Sequence, residues 1–162
     1  MNVLVMGIGN LLLMDEGAGV RVVEEFQRKY RIPEGVEVID GGTMGIELLH
    51  YIEGRDYVFV IDVVKNGNPP GTIVRMEGDE VPAFFYSKIS PHQLGLSDLL
   101  AAAQLTEKMP KHIVLLGIEP KCMDTGLAMS EEIQNNIGKF VEMIAAELRK
   151  IGFQLEQKEA SF

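Results

Sequence analysis

Cysteine is almost missing from this 162-residue sequence; Cys122 is the single one. It has no partner for an internal disulfide, so the fold does not depend on an oxidising compartment. Basic residues are also scarce: 15 Lys and Arg stand against 24 Asp and Glu, giving a formal net charge of −9 and a pI near 4.8. A chain of that sign repels phosphate, which argues against a general nucleic-acid binder. No polybasic cluster offers a hold on anionic lipid. No apolar run approaches the roughly 18 residues that a membrane span needs. The opening stretch, MNVLVMGIGN, has no basic segment ahead of its apolar one and does not read as a secretory leader. Repeats and low-complexity tracts are absent too. What is present is ordinary: 46% hydrophobic and 24% charged residues, the balance of a globular protein. The expectation is one cytoplasmic domain over residues 1–155 with a polar, frayed tail at 156–162.

Strands and helices alternate along the chain. Residues 2–6 form a short valine-rich run ending in Gly7-Ile8-Gly9-Asn10, which reads as a buried strand and a loop. Val20, Val23, Phe26 and Tyr30 recur at helical spacing within 19–31. Pro33-Glu34-Gly35 breaks that helix, and 36–40 alternates like a strand. A helix is expected over 43–52 with Thr43 as its cap. Residues 57–64, YVFVIDVV, are the most strand-like in the chain and carry one charge, Asp62. The turn-forming segment 66–71 precedes a strand at 72–76, either an antiparallel neighbour or a strand returning along the sheet. Ser90-Pro91-His92-Gln93 carries the pattern of a capping box opening a helix that ends near Lys108. HIVLLG at 112–117 is another buried strand, and 130–150 reads as one long amphipathic helix.

Such alternation implies a three-layer α/β/α sandwich around a mostly parallel sheet. In these sheets function collects where the strands end. The residues there are Gly7-Ile8-Gly9-Asn10 with Asp15 and Glu16, then Asp40-Gly41-Gly42, then Asp62, then Glu119. So many carboxylates on one edge repel one another unless some are far apart or a cation joins them.

Gly7-x-Gly9 suggests a dinucleotide loop, but the third glycine would fall at Leu12, and Asp15 and Glu16 would meet the pyrophosphate with the wrong sign. Glu16, Asp62 and His92 form the more telling set. Two carboxylates and an imidazole suit a divalent transition metal and leave coordination positions open. In the first turn of a helix His92 is kept neutral by the helix dipole and can donate a lone pair. The same residues read in isolation are a solvated loop acid, a carboxylate capping a backbone amide and a surface histidine. Asp40 beside two glycines could act as a general base or orient a polypeptide, or simply bond local amides. His50 reads as a helix-face or interface residue, His112 as an exposed one and Cys122 as a passive thiol, and no H-E-x-x-H or G-x-S-x-G occurs.

Taken together, Gly7-Ile8-Gly9-Asn10, Leu13-x-Asp15-Glu16-Gly17-x-Gly19, Asp40-Gly41-Gly42-Thr43, Asp62, His92 and Gly117-Ile118-Glu119-Pro120 resemble the hydrogenase maturation endopeptidases over effectively the whole chain. The resemblance implies a five-stranded sheet of order 2-1-3-5-4 with strand 4 antiparallel. It implies an enzyme that removes a C-terminal extension from the nickel-loaded large-subunit precursor of a NiFe hydrogenase. It places Glu16, Asp62 and His92 on the nickel, which the substrate carries and the enzyme does not stably hold. The resemblance adds Asp40 as a further functional acid; the chemistry leaves open whether the nickel acts as a Lewis acid or only registers the substrate while Asp40 or Glu16 works as base. Two other readings stand beside it: a nickel-sensing assembly factor that does not cut, and an independent metallopeptidase with its own zinc.

Overall fold

The most apolar runs of the chain become the middle of a sheet. The computed structural model describes residues 1–42, 44–87 and 94–158. Strands β1 (Val3–Ile8), β2 (Val36–Gly42), β3 (Tyr57–Val63), β4 (Ile73–Glu77) and β5 (His112–Ile118) form one sheet in the order β2-β1-β3-β5-β4. Four strands are parallel and β4 alone runs antiparallel, along β5. This is the mixed topology that the family resemblance implies. The turn at 66–71 therefore makes no hairpin. It carries the chain past β5 to the outer edge, the returning strand of the two possibilities.

β1, β3 and β5 are apolar throughout because both of their faces are covered. On one face Val5, Phe59, Ile61 and Leu116 pack against α1 (Ala18–Lys29) and α6 (Ile137–Lys150) through Val23, Phe26, Tyr30, Phe140 and Ile144. On the other, Leu4, Met6, Val60 and Leu115 pack under α2 (Leu49–Ile52), α3 (Glu80–Ser87) and α4 (Leu94–Leu105). The helical spacing seen at Val20, Val23, Phe26 and Tyr30 does bury one stripe; each is at most 1% exposed.

Four local expectations need revision. The segment 80–87 is helical although nothing was expected there; Val81, Phe84 and Phe85 are buried at helical spacing, and Pro82 sits in the first turn, where a missing N–H costs nothing. The helix over 43–52 is only a 3-10 turn at Ile46–Leu48 running into the single turn of α2. The long C-terminal helix is two, α5 (Glu131–Gln134) and α6, separated at Asn135 and Asn136, with the Asn136 amide donating back to the Glu132 carbonyl at 2.7 Å. Nor does fraying begin at Glu156. Arg31 N–H donates to the Glu156 carbonyl, Lys158 N–H to that of Lys29, and the Lys158 ammonium to that of Gln27. The capping box at Ser90, Pro91 and Gln93, and the Thr43 cap, lie outside the described residues.

Candidate active site

All four parallel strands deliver their carboxyl ends to one edge, and the acids of the sequence motif meet there. Gly19 explains how α1 comes so close. A Cβ on it would lie 2.3 Å from the Ile61 carbonyl oxygen and 2.4 Å from that of Ile8. Only glycine lets the first turn of the helix rest on the ends of β1 and β3 together. Gly9, at φ 141°, does the same for the loop: a Cβ would fall 1.9 Å from the Glu16 carbonyl oxygen. Gly9, one of the two glycines that suggested a nucleotide loop, and Gly19 thus bring the 3-10 turn at Met14–Gly17 onto the sheet, with Glu16 near Asp62 at the end of β3.

The five carboxylates of this edge then separate by what they bond. Asp15 is fully buried and saturated. One of its oxygens accepts from Ser130 N–H at 2.6 Å; the other accepts from Lys121 N–H, Cys122 N–H and the Ser130 hydroxyl at 2.8, 2.9 and 2.8 Å. Burial alone would push this carboxyl upward, but those donors outweigh it and hold Asp15 below its ordinary value. Glu119 is likewise buried and accepts from the amides of Asn66 and Gly67, fixing the loop after β3. Asp40 is exposed, and its Oδ1 accepts from Gly42 N–H at 2.7 Å, the local bond of the simpler reading. It also lines a depression of about 250 Å³ with Gly9, Asn10, Leu11, Val20 and Gly42, where a ligand could reach it.

Glu16 and Asp62 are the two left over. Asp62 is 1% exposed at the end of β3; Oδ1 accepts from its neighbour Val63 N–H, and Oδ2 has no hydrogen-bond partner among the described residues. Burial pushes its carboxyl well above the usual range, against the pull of the Val63 amide, and the negative charge of Glu16 pushes the same way. Glu16 is 4% exposed and is itself raised by burial. A buried pair of like-charged acids with an open oxygen is a strong acceptor for a proton or a cation. His92, the third member of the set, lies outside the described residues. The groups of three His, Cys, Asp or Glu that could hold a metal are absent among the described residues.

The other histidines stand apart, and the cysteine joins the edge only through its backbone. His50 is exposed beside Glu53, and His112 stacks on Tyr57 at the opposite end of β5. Cys122 lies 3.5 Å from the Met14 sulfur and 3.4 Å from an Asp124 oxygen. The bonding of Asp15 and Glu119 had no local sequence signal, because their partners in the chain are up to 115 and 53 residues away.

A mixed five-stranded sheet covered by helices on both faces, with buried acids where its parallel strands end, defines a three-layer α/β domain whose site lies at that edge. Comparison with known proteins narrows it. The family model described as hydrogenase maturation protease matches residues 20–147. The chain belongs to the hydrogenase maturation protease family and is, as such, a peptidase. The hydrogenase 2 maturation protease of Escherichia coli K12 is 41% identical over 161 residues, covering 99% of this chain and 98% of its own length. The HupD hydrogenase expression/formation protein of Bradyrhizobium diazoefficiens is 38% identical, covering 98% and 83%. Among solved structures, the endopeptidase HybD of E. coli superposes with a TM-score of 0.93 at 40% identity, covering 98% of each chain. No helix among the described residues is long and apolar enough to cross a membrane.

Proposed function

We propose that this peptidase removes a C-terminal extension from the nickel-loaded large-subunit precursor of a NiFe hydrogenase, with Glu16, Asp62 and His92 contacting the nickel that the substrate carries. The observation that carries the reading is the unpartnered Asp62 Oδ2, buried beside a second buried acid. Two hard carboxylate oxygens and no thiolate make an incomplete ligand set, suited to a metal already held by the partner. Occupation by a divalent ion would offset the desolvation that both carboxyls bear, and it would displace any proton they hold.

Nickel insertion can thereby become a condition for cutting. An empty precursor leaves the acids protonated or repelling, whereas a loaded one supplies the missing charge and positions its own C-terminal segment over the edge. When in place the ion can polarise the scissile carbonyl or the attacking water. The chain supplies the base, Asp40 or Glu16. Asp40 is exposed on the shallow depression and has one oxygen committed to Gly42 N–H. Glu16, raised by burial, holds its proton to higher pH and would lose it on contact with the ion.

The test is a set of single substitutions assayed on a loaded precursor from the same organism. Glu16→Gln, Asp62→Asn and His92→Ala are each expected to lower processing at least about 100-fold while the protein stays folded, since each removes one metal contact. Full activity in all three would end the metal-contact reading. Asp40→Asn separates the base candidates: a large loss in kcat with nickel-dependent binding retained assigns the base to Asp40, and an unchanged kcat assigns it to Glu16.

A further inference from the structure

One half-buried polar side chain at the acid edge is committed at one end only. Asn10 follows Gly9 in the loop after β1; its Oδ1 accepts from Leu12 N–H at 2.9 Å, and its carbonyl accepts from Leu13 N–H at 3.1 Å. A carboxamide whose oxygen is turned onto its own loop directs its NH2 group the other way. That group has no acceptor among the described residues, and neither do the backbone N–H groups of Asn10 and Leu11. Gly9 N–H donates to the Gly42 carbonyl at 2.9 Å, which lashes the loop to the end of β2. Asp40 stands there in the complementary state: Oδ1 accepts from Gly42 N–H, and Oδ2 has no hydrogen bond among the described residues. Asn10, Leu11 and Asp40 line the same depression of about 250 Å³. It therefore offers free N–H donors and a free carboxylate oxygen side by side.

The turn alone does not call for this residue. An aspartate here would accept from Leu12 N–H equally well; asparagine adds a donor to that bond. We propose that Asn10 is a catalytic residue of the processing reaction, its NH2 group and the N–H groups of Asn10 and Leu11 donating to the oxygen of the scissile carbonyl. This role rests on the proteolytic reading above and gives the carbonyl oxygen a binding place in this chain. Water, losing a proton to the base as it attacks, bonds to the carbonyl carbon, and the π pair moves onto the oxygen held by the loop donors. The pair returns as the C–N bond breaks, and the leaving amine takes the proton from the base. Glu16, Asp40 and Asp62 make the edge a poor place for a further negative charge, so donors fixed there beforehand by two turn bonds have much to contribute.

The experiment measures kcat and KM on the nickel-loaded precursor from the same organism for the wild type, Asn10→Asp and Asn10→Ala, with thermal denaturation of each. Asn10→Asp keeps the bond from Leu12 N–H and loses the donor; Asn10→Ala loses both and adds no charge. Each is expected to lower kcat about 100-fold or more with KM within about threefold of the wild type, the mark of an interaction made in the transition state. Asn10→Asp should also melt close to the wild type. A residue that only shapes the turn would leave Asn10→Asp active and Asn10→Ala impaired, and a mere effect of added charge would do the reverse. A kcat near the wild-type value in either variant therefore overturns the proposal, as does a loss carried by KM. A wild type that leaves the loaded precursor uncut overturns the processing reading and this role with it; cutting by the wild type and by either variant alike overturns this role alone.

Discussion

Asp15 offers the sharpest quantitative prediction, because its whole environment is resolved into hydrogen bonds. The change is Asp15→Asn, which keeps size and shape and removes the charge. The carboxylate accepts one bond at one oxygen and three at the other. An amide oxygen placed on the busier side keeps three of them as neutral bonds, each weaker by roughly 0.5–1 kcal/mol. Its NH2 group then faces the Ser130 N–H, leaving a buried donor unmatched at about 1–3 kcal/mol. Together these give a loss of about 4 kcal/mol, which for a chain of this size is a fall in Tm of roughly 8–16 °C. The acid dependence supplies a second check. Asp15 sits below its ordinary value of 3.8 in the folded protein, so its ionised form contributes stability that is fully present above that value. The contribution is lost as pH falls through the lower folded value, and the gap between wild type and Asp15→Asn should narrow there. Urea denaturation at neutral and acid pH measures both. A loss below about 1 kcal/mol at neutral pH, or a gap that does not narrow in acid, would refute the assignment of Asp15 as the clamp on the 121–130 loop.

Other outcomes follow from the same geometry. Asp62→Asn should make the protein more stable at neutral pH although inactive, since the raised carboxyl is a buried acid that the unfolded chain ionises first; its advantage should grow as pH rises from about 4, measured by thermal denaturation. Gly19→Ala should lower stability by about 3 kcal/mol or more and impair processing, because its Cβ would fall within 2.4 Å of two backbone oxygens that cannot yield cheaply. Glu119→Ala should free the amides of Asn66 and Gly67 and raise hydrogen exchange over 65–71, while β3 and β5 keep their protection.

How far the sequence carried these conclusions depends on where the deciding contacts lie. β1, β3 and β5 were legible because a strand covered on both faces is apolar at every position, and Asp62 stood out as the one charge in such a run. The spacing of Val20, Val23, Phe26 and Tyr30 was sufficient for α1. Local pattern left the place of β4 open, since pairing with β5 rather than β3 is decided by a strand about 40 residues further on. α3 was missed because EVPAFFYS is almost uniformly apolar and shows no polar face, although Pro82 and the Val81, Phe84, Phe85 spacing were available cues. The acid cluster was visible as a list of carboxylates. The saturation of Asp15 and Glu119, and the Asp62 oxygen left without a partner among the described residues, were not, because distant backbone amides decide them.

The most direct test of the central claim is the intact mass of the large-subunit precursor from the same organism after incubation with this protein, with and without nickel loaded. The account predicts the loss of a short C-terminal peptide from the loaded precursor alone. Loss from the empty precursor would contradict the metal-gated recognition by Glu16, Asp62 and His92, and no loss from the loaded one would contradict proteolysis itself.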